Sequence, residues 1–537
     1  MSSLVAANLS AAIRASPVSL GQIALVVLGL ALSIPFIIYF RDVKGLRKYP
    51  AAGPFGIAAI TPLWLMYYNY YGIRWTAVER AHKKHGTIVR ISPNHLSFSE
   101  PTSYKDIYGH KSSIIKDVFY SHMAGDTPNM ADTTDRADHG RKRKYLAAIF
   151  SAKNVATFEP RIQEVTTKLI KALNKKARGE KVAETDTFPA RSDGSFDVRP
   201  WLNMYTYDVI SALMWSESFG FLDKGNDSCF AQSVDGEKKE VQAMDSFQWG
   251  VWYSVFCAHL PLWAYTALRY MTSSYKGTIA ADDFGNIARY KTNQRIENPP
   301  KELDIFSSLP LEIDEKGRPP FPMWEIVAET TVMLNAGNDT TQTTLTNNIF
   351  LLATHPEIQS KLRQTLLERI PADEKPFASY TTLSQIPYLR SVLDETFRVL
   401  TPQRFGLPRR TVDYSTIAGQ SIAPEVTVSS PLSELHNNPD LFSKPLEWIP
   451  ERWLPENPDF TDIERHNLKD FVMPFTAGAR ACIGRNLAYM EVSIGLAALV
   501  LSFEWKMAHG PVEENFGQFE RITSNPTKLY VKAFPLK

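Results

Sequence analysis

A mainly α-helical domain with small β-sheet regions, preceded by one N-terminal transmembrane helix, is the fold class this sequence predicts. Three observations predict it. From Val18 to Phe40 the chain runs VSLGQIALVVLGLALSIPFIIYF, 23 residues without a charge, long enough to cross a bilayer as a helix. A second, longer helical stretch covers about Met323 to Ala353, with apolar residues on either side of a polar centre. Strand patterns are short, such as Ile88-Val89-Arg90-Ile91 near the start and Leu529-Tyr530-Val531-Lys532 near the end.

The apolar run follows an N-terminal segment, 1–17, and is expected to form an anchor over 18–40. A cleaved signal peptide or a buried core helix are the other readings of such a run; its length and the lack of a small-x-small cleavage site favour the anchor. Arg41, Lys44, Arg47 and Lys48 follow it, offset only by Asp42. Positive charge on that side places the C-terminal part in the cytosol and residues 1–17 in the lumen. There Asn8-Leu9-Ser10 matches a glycosylation acceptor. Residues 41–54 are basic and end in Tyr49-Pro50-Ala51-Ala52-Gly53-Pro54, a stiff non-helical hinge. The rest, 55–537, shows no second linker and no internal repeat, and is expected to be one domain.

The 537 residues carry a formal net charge of +2, which points away from nucleic acid as a partner. Cys229, Cys257 and Cys482 form no C-x-x-C pair. Neither a disulfide framework nor a four-thiolate zinc site is supported, and the body of the chain is expected to face a reducing compartment.

Cys482 lies in Phe475-Thr476-Ala477-Gly478-Ala479-Arg480-Ala481-Cys482-Ile483-Gly484. A thiolate that binds iron needs a compact loop and backbone donors around the sulfur. Gly478 and Gly484 are expected to take conformations closed to other residues, and Arg480 offers a fixed cation. The pattern Phe-x-x-Gly-x-Arg-x-Cys-x-Gly resembles the cysteine-ligand loop of the cytochrome P450 family of haem-thiolate monooxygenases. By that resemblance Cys482 is the axial ligand of haem iron, and the fold is the mainly helical one of that family.

Three further constellations stand in the order the resemblance requires. In Asp394-Glu395-Thr396-Phe397-Arg398 the acid and the base are three apart on a predicted helix and share a face. Trp448-Ile449-Pro450-Glu451-Arg452-Trp453 resembles the family segment whose arginine joins such a pair, which implies a buried triad of Glu395, Arg398 and Arg452. Ala336-Gly337-Asn338-Asp339-Thr340-Thr341 places poor helix formers inside the Met323 stretch. It resembles the family's oxygen-binding kink, a widened helical turn with Thr340 beside the bound oxygen and Asp339 relaying protons. The other reading is a polar helix face with the threonine bonded to a backbone carbonyl.

Haem carboxylates need positive partners. His139 and Arg143 are four apart on one helical face, and with Arg409 and Arg480 they align with the family's propionate contacts. A tryptophan often stands where His139 does. Lys142 and Lys144 are expected to be solvated or part of a basic proximal face for a reductase. The aromatic run from Trp249 to Trp263 falls where the family roofs its pocket and touches the membrane, though ordinary helix core also explains it. Ala336, Phe405 and Leu407 are expected to floor the pocket, with Arg404 the one nearby cation.

The resemblance thus implies a membrane-anchored monooxygenase of the endoplasmic reticulum, its catalytic domain facing the cytosol. It would use haem b and O2, with electrons from NADPH through a separate NADPH-cytochrome P450 reductase, and cytochrome b5 as a further partner. The runs Tyr49 to Pro54 and Asp135 to Lys144 look most like filamentous-fungal microsomal members, including the benzoate para-hydroxylase type. The expected substrate is a lipophilic metabolite of secondary metabolism. A small aromatic acid is the alternative, and a non-enzymatic haem- or lipid-binding membrane protein is the reading from another class.

Overall fold

A computed structural model describes residues 20–124, 127–313, 317 and 320–536. The first helix, α1 (Leu20–Arg41), occupies the predicted anchor segment and contains Pro35. Among the described residues no helix is long and apolar enough to cross a membrane. The transmembrane helix of the expected fold class is therefore not found there, the described part of the run beginning only at Leu20. Residues 1–17, with the Asn8 motif, and Val18 and Ser19 of the predicted span lie outside the described residues.

The hinge differs from a free linker. Leu46, Tyr49 and Ala52 are buried, and Ala51 bridges to Arg90, with the Ala52 N–H donating to the Arg90 carbonyl at 2.9 Å and the Arg90 N–H to that of Pro50 at 2.8 Å. The prolines that forbid a helix here leave the chain extended, and an extended chain can pair with a strand edge.

The helices that position the site, after α1, are α2 (Arg74–His85), α3 (Arg136–Leu146), α4 (Glu159–Ala177), α5 (Arg199–Trp215), α6 (Ala243–Cys257), α7 (Leu262–Met271), α8 (Lys276–Glu297), α9 (Met323–Thr354), α10 (Pro387–Val399) and α11 (Arg485–Ser502). Leu169 and Leu173 of α4, Trp201 and Tyr205 of α5, Leu345 and Ile349 of α9, and Leu496 and Leu499 of α11 share one buried cluster. This is the central core, and α9 runs through it for 32 residues. It ends at Thr354, where His355 precedes Pro356 and is pushed out of helical conformation.

One mixed sheet flanks the core in the order β1 (Ile88–Ser92), β2 (His95–Phe98), β5 (Thr427–Ser429), β4 (Arg409–Arg410) and β3 (Ile115–Lys116). Only β2 and β5 run parallel. The register sets Lys116 directly opposite Arg409. In a second, antiparallel sheet β8 (Ser524–Pro535) lies between β6 (Phe503–Met507) and β7 (Phe516–Glu520). The turn from β7 into β8 is fastened where the Ser524 N–H donates to the Pro402 carbonyl at 2.7 Å.

Candidate active site

Cys482 precedes α11 in a loop closed on itself, with its N–H donating to the Phe475 carbonyl at 2.9 Å. The side chain is solvent-accessible. Crowding by protein atoms pushes the thiol pKa up, while the Gly484 N–H and the Arg143 and Arg485 cations act to lower it. The N-terminus of α11 adds its partial positive charge at the sulfur. Gly478 has φ +73°, and a Cβ there would lie 2.4 Å from the Tyr108 carbonyl oxygen. Gly484 does not share that need: its φ is −79°, and a Cβ would meet only Cys482 Sγ at 3.9 Å. The expectation of a forbidden conformation holds at one glycine and fails at the other.

The loop is buttressed from α10. Phe475 packs edge-on against Phe397 at 5.3 Å and at a tilt against Tyr489 at 5.1 Å. Glu395 accepts from Arg398 at 2.7 and 2.9 Å and from Arg452 at 3.3 Å, and all three side chains are fully buried. Two partners escaped sequence reasoning. Trp453 Nε1 donates to Glu395 at 2.9 Å, and Glu464 pairs with Arg452, giving two cations two acids. Arg398 also donates to the carbonyl of His436 at 2.9 Å, whose ring meets the Met473 N–H at 3.4 Å. That carries the network into the strand of chain entering the cysteine loop.

Beside the loop, a cavity of about 210 Å³ is lined by Lys116, Arg136, His139, Arg409 and Arg480 among others. Arg409 is buried and its Nε has no partner. Lys116 faces it across the β3–β4 pair, and its pKa is pushed down to about 7 by burial first and by the Arg409 cation second. Like charges directly opposite on a sheet are destabilising; Asp132 offsets Lys116 in part, and the excess of cations suits an anion in the cavity. It fits the carboxylates of haem, as the thiol of Cys482 fits its iron. His139 reaches this cavity as a neutral imidazole, its pKa pushed down to about 4 by burial and then by Arg480, Arg143 and other cations. Arg480 also donates to the carbonyls of Thr133 at 2.9 Å and Met130 at 3.3 Å. Arg143 does something else: it donates to the Ala481 carbonyl at 2.9 Å and braces the cysteine loop. Lys116 was missed because only strand register joins it to Arg409; Arg136 stands three residues before His139 on α3, and that helical spacing was the signal that could have found it.

Lys142 is not solvated. It is buried on the inner face of α3, 2.9 Å from Glu329 and 3.0 Å from Glu325 of α9.

In α9 the chain stays α-helical through residues 336–341, and the expected widened turn is not present. Hydroxyls explain this: Thr340 Oγ1 donates to the Ala336 carbonyl at 2.9 Å and Thr344 Oγ1 to that of Thr340 at 2.8 Å, while Thr206 of α5 donates to Asn338 at 2.6 Å. Poor helix formers are thereby satisfied without breaking the ladder. Asp339 is buried and turned toward the β7–β8 turn, bonded by Thr523 and by Asn525 at 2.6 Å. Burial pushes its pKa up, against Thr523, Arg521, Arg199 and Asn525.

The predicted pocket floor divides. Ala336 is exposed. Leu407 packs with Phe119, Tyr120, Val255, Ala258 and Ile522, an apolar wall under α6. Phe405 is buried in a separate cluster, with the Arg74 guanidinium 3.8 Å from its ring centroid. Arg404 does not face the pocket freely, being buried against the Trp75 ring at 4.3 Å. Along the aromatic run, Val255 of α6 is buried in that wall while Trp263 of α7 is 77% exposed.

The cytochrome P450 family model matches residues 59–533. A benzoate 4-monooxygenase of Aspergillus niger is 31% identical over 507 residues, spanning 91% of this chain and 94% of that protein. A cytochrome P450 monooxygenase of Penicillium crustosum is 29% identical over 486 residues, 88% of each chain. One of Penicillium oxalicum is 24% identical over 495 residues, 91% of this chain and 90% of that one. In fold, the crystal structure of a cytochrome P450 superposes with a TM-score of 0.69 at 19% identity, over 91% of this chain and 100% of the other.

Proposed function

Because this chain belongs to the cytochrome P450 family, we propose that it is a membrane-attached haem-thiolate monooxygenase that inserts one atom of O2 into a lipophilic organic substrate. The single observation that carries the reading is the accessible Cys482 thiol, set in its closed loop beside a cavity lined by Lys116, Arg136, Arg409 and Arg480, with Arg409 Nε unpartnered. Haem b bound there supplies the oxygen chemistry. The protein's part is to hold and to tune. Cys482 offers a thiolate stabilised by the Gly484 N–H and the α11 terminus, and Lys116, Arg409 and Arg480 neutralise two carboxylates while His139 donates as a neutral imidazole. Thr340 presents a hydroxyl, bonded in this structure to the Ala336 carbonyl, that can turn to hand on a proton, and Asp339 is the neighbouring group able to hold one.

The apolar wall around Leu407 supports a lipophilic substrate, and the engagement of Arg404 and Arg74 with aromatic rings leaves neither free to anchor an acid. A small aromatic acid is the second reading, favoured by the likeness to a benzoate 4-monooxygenase. Electrons from NADPH through a flavoprotein reductase, with cytochrome b5 as a second donor, accord with a chain in which no flavin or dinucleotide motif is evident. Attachment at the endoplasmic reticulum, facing the cytosol, is supported by the uncharged run and by Leu262, Trp263, Tyr270 and Met271 of α7, which are 64–84% exposed.

Two measurements test the reading. The reduced carbon monoxide complex is expected to show a red-shifted Soret band that Cys482→Ser abolishes; its survival in the variant removes Cys482 as ligand. NADPH consumption that depends on both reductase and substrate separates an enzyme from a haem-binding protein. In spectral titrations lipophilic metabolites are expected to shift the iron spin state; a response to benzoate-sized acids alone makes the second reading the correct one.

A further inference from the structure

We propose that Thr523 and Asn525, at the turn from β7 into β8, are positioning residues that hold the Asp339 carboxyl beside Thr340 and govern its exchange of a proton, and that Arg521 ties this turn to α6. The proposal rests on reading Asp339 as the proton-holding group of the site.

The geometry accommodates both protonation states. Asn525 Nδ2 donates to Asp339 Oδ1 at 2.6 Å and to Thr343 Oγ1 at 3.0 Å, so both of its protons are used. Thr523 Oγ1 adjoins Asp339 Oδ2 and also lies 3.1 Å from Asn525 Oδ1. A hydroxyl has one proton to give and two acceptors here. When Asp339 is ionised, Thr523 donates to it. When Asp339 is protonated, its own O–H donates to Thr523, which turns its proton to Asn525 Oδ1. In the protonated state all three groups are satisfied, and in the ionised state Asn525 Oδ1 gives up its donor to the carboxylate; a cradle for a permanent carboxylate would need donors alone. Asp339, Thr523 and Asn525 are all buried.

The charged and titratable groups facing Asp339 are Arg521 from the turn and Arg199 and Tyr207 from α5. Arg521 Nε and Nη2 donate to the backbone and side-chain carbonyls of Gln248 in α6, at 3.1 and 3.2 Å. Between them Ile522 packs into the apolar wall with Phe119, Val255 and Leu407. The turn therefore touches the wall on one side and Asp339 on the other. A displacement of the wall would be felt by the two residues that hold the carboxyl.

The test reads the carboxyl itself, by infrared difference spectroscopy of the haem-loaded protein, with the Asp339 band assigned by its loss in Asp339→Asn. Thr523→Val removes the hydroxyl at nearly constant volume and Thr523→Ser keeps it. Thr523→Val removes a partner of both states, but the charge-assisted bond to the ionised form is the stronger, so the protonation midpoint is expected to rise by about one pH unit, with Thr523→Ser unchanged. Asn525→Ser, which removes the amide donor, is the second variant should the valine protein not fold, and the same upward shift is expected. The proposal is overturned if variants that retain the red-shifted Soret band titrate like the unaltered protein. If instead Asp339→Asn keeps NADPH use coupled to product, it is the proton-holding reading that falls, and the shift in Thr523→Val still stands.

Discussion

Gly478 and Gly484 occupy equivalent-looking places in the motif and do different things. At Gly478 the left-handed conformation alone would cost an alanine about 1–2 kcal/mol, and its Cβ would press on the Tyr108 carbonyl. At Gly484 the backbone is ordinary and a Cβ has room. Gly478→Ala is therefore expected to lose haem, measured as haem per protein and as the carbon monoxide spectrum, while Gly484→Ala retains it. Equal retention in both would show that the loop relaxes around the added methyl. The motif made both glycines visible, but spacing does not report φ or the approach of a distant carbonyl.

Between elements, two ionic struts are testable. The Glu395 network joins α10 to the segments around Arg452 and Glu464, fully out of solvent. Arg452→Leu would leave buried acid without its cation, at a cost of about 3–5 kcal/mol, and lower thermal stability together with haem retention are expected; a variant as stable as the parent contradicts the role. The second strut joins α3 to α9 through Lys142, Glu325 and Glu329. Burial raises the Glu329 pKa to about 7, against Lys142 and the Met130 N–H, and one of its oxygens has no partner. Because the folded protein holds this proton more tightly than the unfolded chain, the stability it contributes is fully present below the ordinary glutamate pKa. It is lost as pH rises through about 7. Relative to the parent, Glu329→Gln is expected to gain on the order of 1–3 kcal/mol between pH 5 and pH 7.5, read from denaturation at each pH. A difference independent of pH would mean the carboxyl titrates normally.

For the whole molecule, packing into the domain begins at Leu46 rather than after the prolines, since Leu46, Tyr49 and Ala52 are core residues. The side chains described in α1 are in large part exposed, Leu25 and Leu32 at 68% and 62%. Deleting residues 1–40 is expected to leave a folded, haem-binding protein that sediments less with membranes. Deletion as far as residue 54 would remove the Ala51–Arg90 pairing and is expected to impair folding as well. If the shorter deletion already loses all haem, anchor and core are not separable.

The sequence by itself determined what depends on neighbours along the chain. The helical stretch around Met333, the Glu395–Arg398 pair three residues apart, and the cysteine with its flanking residues were legible because helix periodicity and local spacing carry them. What the tertiary structure alone decided depends on contacts across the chain. Lys116 meets Arg409 only through strand register, and Lys142 turns inward because α3 lies against α9. Asp339 finds Thr523 and Asn525 across 184 and 186 residues. A charged or hydroxyl side chain is equally at home in water and in a satisfied buried network, so its type does not disclose which it occupies. Only the packing of α9 against the β7–β8 turn brings the Asp339 carboxyl into contact with Thr523 and Asn525.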